Sequence, residues 1–222
     1  EKAVSALDSL WTSSYKNEDN LTGFYLPKTR VQLTEAWTTS TQVNFCAKAF
    51  PTVPSKNEDN ATLHVLAGYL RNGFLHRTIR EKGGAYGGGA TQDSNSASFR
   101  FFSYRDPRLT ETLDDFDASL EWLHTATHEN YQLEEAILGV VAMLDKPASP
   151  AGEAKQAFYN QLFGNILATR KEFRDRVMNT TFSDLIRVSE KYLKPSNAST
   201  GVITNTESIQ KLTLKDLVIK NI

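Results

Sequence analysis

The sequence lacks several features that would assign it to a chemical class. Cys46 is the only cysteine among 222 residues, so no disulfide can form within the chain. No apolar run approaches the roughly 18 residues that a membrane-spanning helix needs, and we expect no membrane partner. The net charge of −1 argues against a surface that binds nucleic acid.

The beginning of the chain shows no signal peptide. It opens on Glu1-Lys2, and we expect an excised piece of a longer protein. Localisation stays unknown, because the cytoplasm, the periplasm and an organellar matrix all suit a chain that is not stabilised by disulfides. The hydrophobic content of 40% is enough for a sizeable core.

Glycine is scarce but unevenly distributed. Of the twelve glycines in the chain, five lie between Arg80 and Gly89. Clustered glycine is typical of backbone that turns tightly or approaches another group closely. The pattern predicts Arg80 at the end of a helix and Tyr86 at the start of a strand, with Gly83 and Gly84 reversing the chain between them.

The first third of the chain predicts two helices and one long strand. Apolar residues at helical spacing predict a short helix over residues 3–14, and polar residues 15–30 predict a loop. Alternation predicts a strand over residues 35–50, ended by Pro51. From about residue 57 to 79 a stripe predicts a long helix packed on a sheet. Its members are Leu63, Leu66, Ala67, Leu70, Phe74 and Ile79.

Residues 85–92 and 97–105 predict an antiparallel hairpin. Alternation in its second strand separates Phe99 and Phe101 from Phe102 and Tyr104. Further helices and short strands are predicted at residues 108–127, 130–144, 151–167, 170–178, 182–193, 200–204 and 217–219.

This order predicts an α+β fold, with helices layered on a mostly antiparallel sheet. We expect a single domain over residues 1–222. It consists of a leading helix and loop over residues 1–34 and an α+β core over residues 35–222.

Arg80 and Tyr86 allow two interpretations. A cation near a helix C-terminus is mildly stabilising, and a tyrosine can simply begin a strand. Alternatively, a guanidinium and a phenol on either side of a glycine-lined turn are two rigid donors. Such a pair suits a developing oxyanion or a peptide carbonyl. The residues alone leave both interpretations open.

Other candidate sites are weaker. His124 and His128 lie four residues apart on the predicted helix, beside Glu129, but no third metal ligand is evident, and a solvated helix face is favoured. Cys46 alternates within a strand and fits a small buried hydrophobe. The glycine run lacks the spacing of a phosphate loop.

The segment Arg-x-Lys-Gly-Gly-Ala-Tyr-Gly, from Arg80 to Gly87, resembles the C-terminal half of the pitrilysin-type zinc peptidases, or inverzincins. The six-residue spacing from Arg80 to Tyr86 is similar to that of the presequence-protease and falcilysin subgroup. Residues 41–45 and 47–49 also resemble the strand before the long helix in that subgroup. The order of elements over residues 35–205 fits its last domain.

The resemblance implies the C-terminal, substrate-contacting domain of a metalloendopeptidase that degrades unfolded peptides in a closed chamber. The zinc helix His-x-x-Glu-His is absent from the chain. The resemblance therefore implies zinc in the full-length enzyme, ligands and general base on an N-terminal half, and no cofactor and no activity in this domain alone. Arg80 and Tyr86 carry over as catalytic and substrate contacts. Gly83, Gly84 and Gly87 to Gly89 would shape the loop and let backbone come near the substrate.

Two alternatives stay open. A non-catalytic peptide-binding or structural core subunit could use the same fold, although such relatives have lost catalytic residues. A stand-alone α+β binding domain is the second. Peptide substrate and the N-terminal half of the same protein are the expected partners.

Overall fold

The computed structural model describes residue 5 and residues 31–162 and 164–221. Gln32–Ile222 groups into one compact unit. Apart from residue 5, the leading helix predicted over 3–14 and the loop predicted over 15–30 lie outside the described residues.

Six strands form one sheet in this described part. They are β1 (Thr34–Thr38), β2 (Asn44–Pro51), β3 (Gly87–Asp93), β4 (Ser98–Asp106), β5 (Ser199–Thr204) and β6 (Val218–Asn221). Their order across the sheet is β3-β4-β2-β5-β1-β6. The pairs β3–β4, β4–β2 and β2–β5 are antiparallel, and β5–β1 and β1–β6 are parallel. The prediction of a mostly antiparallel α+β fold is confirmed.

The predicted helices occur in the predicted order, together with a 3-10 turn and a short last helix that were not predicted. They are α1 (Asp59–Leu70), its continuation π1 (Arg71–Lys82), α2 (Thr110–Thr125), α3 (Asn130–Leu144), α4 (Pro150–Leu162), α5 (Leu167–Met178), α6 (Phe182–Tyr192), a 3-10 turn (Pro195–Asn197) and α7 (Thr206–Ile209). In the described ranges no helix combines the length and apolarity that crossing a membrane requires. The helix predicted over 151–167 ends earlier, at Leu162, because Gly164 takes a φ of +70°.

The second half of the long helix is wider than an α-helix. Over Arg71–Lys82 the chain adopts the π form, in which each N–H bonds to a carbonyl five residues back. Leu70, Leu75 and Ile79 are fully buried, at spacings of five and then four residues. The predicted stripe passed through Phe74, which is only partly buried. Because the π turn contains more residues than an α turn, Leu75 and not Phe74 faces the core.

The strand predicted over 35–50 is two strands, β1 and β2, which lie on opposite sides of β5. The polar residues between them form a local turn, in which Thr41 N donates to Thr39 O and the Thr41 hydroxyl bonds to both the N–H and the carbonyl of Val43. These bonds replace ladder bonds, so β1 can leave β2 and pair with β5 instead.

One face of the sheet carries the core. Phe99 and Phe101 are fully buried, and Phe101 stacks on Phe116 of α2 at 5.5 Å between ring centroids. The alternate residues Phe102 and Tyr104 are exposed, and the predicted separation of the two pairs onto opposite faces is confirmed. Cys46 is buried on the core face, as predicted. Tyr104 lies on the exposed face of β4, at the end of the strand nearest Tyr86.

Candidate functional site

The site is built around the end of π1. Gly84 has φ +80° and donates its N–H to Arg80 O at 3.0 Å, and Ala85 N donates to Ile79 O at 3.1 Å. Glycine is favoured at such a position because it has no Cβ to clash with the backbone. The helix stop predicted from Gly83 and Gly84 is confirmed, and it separates Arg80 from Tyr86.

Gly83 is required by packing and not by its backbone angles. Its φ of −80° suits any residue, but an added Cβ would lie 2.4 Å from Ile79 O and 2.1 Å from Arg108 Nη2. Arg108 is held in place because its Nη2 donates to Thr78 O at 3.3 Å and to Asp115 Oδ2 at 2.9 Å. The two glycines therefore serve different physical needs.

Arg80 is exposed in the last turn of π1. Its Nη1 lies 3.4 Å from His76 Nε2, and His76 Nδ1 lies 3.3 Å from Glu81 Oε1. Within the described residues the Arg80 guanidinium forms no ion pair with a carboxylate. Most of its N–H donors are therefore available to another molecule.

Tyr86 immediately precedes β3 and is 68% exposed. Its backbone N–H donates to Arg105 O at 3.3 Å, which joins it to the end of β4. Its ring meets Tyr104 edge-on, with centroids 5.5 Å apart. Its hydroxyl has no hydrogen-bond partner in the described part of the chain, so that it can donate to a ligand.

The glycines of β3 differ in what they allow. A Cβ at Gly88 would lie 2.9 Å from Ile79 Cγ2, and one at Gly89 would lie 2.9 Å from Arg71 Cγ. At Gly87 the nearest atom would be Tyr104 Cδ1, at an ordinary 3.9 Å. Packing within the domain thus accounts for Gly88 and Gly89, whereas Gly87 leaves space on the exposed side beside Tyr86.

An aromatic surface extends from Tyr86 across the exposed face of the sheet. Tyr104 contacts both Tyr86 and Phe45, the latter with centroids 5.6 Å apart. Phe102 of β4 and Ile203 of β5, which lie on either side of β2, are 39% and 38% exposed. Such a surface can hold an extended apolar ligand against the sheet.

Arg80 and Tyr86 form no hydrogen bond with each other in the described structure. Arg80 lies beside His76, whereas Tyr86 lies beside Tyr104. Two cavities of the described part lie elsewhere, one around Thr38 and Asn205 and one around His124 and Ser189. Arg80 and Tyr86 are both exposed, so a second surface would be needed to close over a substrate bound to them.

Sequence reasoning missed Arg105. Its guanidinium carbon lies 5.9 Å from the Tyr86 ring centroid and 5.6 Å from that of Tyr104. An arginine at the end of an exposed strand carries no local signal, because only the pairing of β3 with β4 brings it to Tyr86. The structure also places His76 of π1 beside Arg80.

His124 and His128 do not come together as metal ligands in the described structure. Helix α2 ends at Thr125, so that His128 lies beyond it and the prediction of both histidines on one helix is wrong. His124 Nε2 lies 3.1 Å from Ser189 Oγ, and His128 Nδ1 lies 2.7 Å from the Tyr69 hydroxyl. Across residues 31–162 and 164–221 no three His, Cys, Asp or Glu side chains come together as metal ligands. These donors do not fit a zinc ion.

The sequence matches the PreP C-terminal domain family over residues 34–205. The mitochondrial presequence protease of Kluyveromyces lactis is 35% identical over 163 residues, which cover 73% of this chain and 16% of that protein. The chain thus spans about a sixth of the length of the curated relatives it matches.

Solved structures share the fold. A protease from Helicobacter pylori superposes with a TM-score of 0.66 at 16% identity, over 90% of this chain and 52% of that one. Pitrilysin superposes with a TM-score of 0.63 at 12% identity, over 86% of this chain and 22% of that one.

Proposed function

The chain belongs to the PreP C-terminal domain family, as the Arg80-to-Tyr86 segment predicted, and on that premise we propose a function for the protein that carries it. This domain is the substrate-contacting C-terminal part of a zinc metalloendopeptidase that degrades unfolded peptides in a closed chamber. The supporting observation is the pair of exposed donors, Arg80 and Tyr86, at the two ends of the turn that Gly84 closes.

The two side chains bind and stabilise the reacting carbonyl. The Tyr86 hydroxyl, which lacks a partner among the described residues, donates to the oxygen that becomes negative as the peptide bond is attacked. The planar fork of Arg80 donates to the same oxygen or to a neighbouring carbonyl of the peptide. Because both groups are neutral or positive donors held on a folded element, they suit a developing negative charge.

The peptide lies on the exposed face beside these donors. Gly87 leaves room for its backbone, and the aromatic rings of Tyr104 and Phe45 offer it an apolar surface. Gly83 and Gly84 act indirectly, through the turn that sets the relative position of Arg80 and Tyr86.

The remaining machinery belongs to the N-terminal half of the complete protein. Zinc ligands and a general base are supplied there, because the donors described in this chain do not fit the metal. The half that carries them is also the surface that closes the chamber. The K. lactis relative is a mitochondrial protease, which supports a mitochondrial location for the complete protein.

Metal analysis and peptide hydrolysis test this function. The complete protein is expected to hydrolyse an unstructured peptide and to lose that activity when a chelator removes its zinc. The isolated chain is expected to hydrolyse none and to hold no stoichiometric zinc after dialysis. One tightly held zinc ion per isolated chain would contradict the proposal.

The non-catalytic alternative is favoured by one observation, the exposed aromatic surface, which would hold a peptide without any chemistry. Peptide binding by a complete protein that lacks the His-x-x-Glu-His sequence and hydrolyses nothing would support it. Sequencing the region upstream of this chain separates the two.

A further inference from the structure

Arg105 occupies a β-bulge at the end of β4. Asn44 of β2 pairs with Asp106, whereas Cys46 pairs with Ser103, so that Tyr104 and Arg105 together lie opposite Phe45. Arg105 has φ +49°, in the left-handed region that residues with a Cβ rarely adopt. Bulges of this kind re-aim a side chain next to active sites.

Hydrogen bonds of the next residue, Asp106, hold the bulge in place. Asp106 is fully buried, and its carboxylate accepts from the Thr112 hydroxyl at 2.8 Å and from Arg108 N at 2.9 Å. The Asn44 amide donates to Asp106 O at 3.1 Å. These bonds determine the backbone on one side of Arg105 and hold it in its strained conformation.

The strained backbone aims the side chain at Tyr86. The Arg105 guanidinium packs against the rings of both Tyr86 and Tyr104, at 5.9 and 5.6 Å, within the range of a cation–π contact. Arg105 is exposed and forms no ion pair with a carboxylate of the described residues. Apart from Tyr104, it is the one described side chain found in ring or cation contact with Tyr86.

We propose that Arg105 is a positioning residue for Tyr86, which orients the phenol ring so that its hydroxyl reaches the reacting carbonyl. This inference rests on the proposed function of Tyr86. The ring of Tyr86 is mostly exposed, and of its ring contacts with the described residues the edge contact with Tyr104 would alone remain without Arg105. A donor must be held in place before the reaction to stabilise the transition state.

The Arg105→Gly variant separates positioning from a structural role. Glycine accepts a φ of +49° without strain, so the melting temperature should stay the same or rise. The kcat of the complete protein should nevertheless fall by about two- to fivefold, the range that an exposed cation–π contact supports. KM should change little, because the effect is on the hydroxyl that acts in the transition state. Arg105→Lys, which keeps the charge, should recover part of the lost turnover.

A double-mutant cycle with Tyr86→Phe shows whether Arg105 acts through the hydroxyl. Once the hydroxyl is absent, adding Arg105→Gly should cost little more. The control is Arg100→Met compared with Arg105→Met. Arg100 lies on the same strand, is paired with Asp93 at 3.0 Å and loses the same charge, yet should keep near-normal turnover.

Three outcomes would overturn the inference. They are normal kcat in Arg105→Gly, full additivity with Tyr86→Phe, and a raised KM with unchanged kcat, which would mean that Arg105 binds substrate directly. Normal turnover in Tyr86→Phe alone would instead remove the proposed function of Tyr86. The two failures are therefore distinguishable.

Discussion

The backbone N–H of Gly84 donates to the carbonyl oxygen of Arg80 at 3.0 Å, and this bond closes the helix at the candidate site. Gly84 makes it with φ +80°, where any Cβ is strained. The position of Tyr86 relative to Arg80 therefore depends on a conformation that favours glycine.

Replacing Gly84 with Val should lower the free energy of unfolding by about 1 kcal/mol or more, because the side chain opposes the left-handed conformation. The melting temperature should fall by about 2–4 °C, as expected for a domain of this size. Thermal unfolding followed by circular dichroism measures it. Gly83→Ala should also destabilise the chain, through Arg108 and Ile79.

The matched control is Gly139→Val. Gly139 lies within α3, and no atom comes within 4 Å of an added Cβ. The same substitution there should leave the melting temperature unchanged or raise it, since glycine is a poor helix former. Equal effects at Gly84 and Gly139 would show that the turn is not strained.

Tyr86→Phe in the complete protein removes one hydroxyl and leaves the ring. If that hydroxyl donates to the oxyanion, kcat should fall by roughly 10²–10³, the usual loss for one preorganised donor. Stability should barely change because the ring still meets Tyr104. Steady-state kinetics on an unstructured peptide measure the change, and full activity at unchanged stability would remove the catalytic role.

Arg80→Lys tests the guanidinium separately from its charge. An ammonium cannot reproduce the planar fork, so kcat should fall although the charge at the helix end is retained. KM should rise as well if Arg80 also binds the carbonyl oxygen of the substrate in the ground state. A role limited to stabilising the helix end predicts near-normal kinetics, with any loss following the melting temperature.

Gly87→Ala should affect activity, whereas Gly88→Ala should affect stability. The methyl group fits at Gly87, so the melting temperature should hold, while kcat/KM falls about tenfold or more as the peptide backbone is displaced. At Gly88 the methyl group meets Ile79, so stability should fall. Unchanged kcat/KM in Gly87→Ala would mean that substrate does not approach this residue.

The lowered pKa of Asp59 predicts how the free energy of unfolding depends on pH. Its side chain is 1% exposed, and it accepts from Arg187 at 2.7 Å, Lys191 at 2.8 Å and Tyr192 at 2.7 Å. Burial opposes ionisation of this carboxyl, but the hydrogen bonds from Lys191, Tyr192 and Arg187 outweigh it and lower the pKa to about 2.

A lowered pKa stabilises the fold above the unfolded value of about 4, and that contribution is lost as pH falls from about 4 to 2. Urea unfolding should therefore show a loss of roughly 2 kcal/mol over this window in the wild type and less in Asp59→Asn. Asp145→Asn is the control, because its pair with Arg174 is about half exposed. Identical pH profiles for the wild type and Asp59→Asn would contradict the assignment.

The candidate site was accessible to sequence reasoning because its parts are local. Arg80, Gly84 and Tyr86 lie within seven residues, and a helix stop followed by a strand start is encoded by neighbouring side chains. Arg105 was not accessible, because its contact with Tyr86 depends on a bulge in one strand and on pairing with another.

The sequence by itself determined the order of the main helices and strands, the glycine turn and the alternation of side chains between the two faces of β4, since these follow from short-range propensity and periodicity. Tertiary structure alone decided that residues 35–50 divide into two strands on opposite sides of β5, that β1 and β6 add in parallel, and that the long helix widens from Arg71. These features depend on packing and hydrogen bonding between residues that are distant in the chain. The local sequence pattern therefore does not predict them.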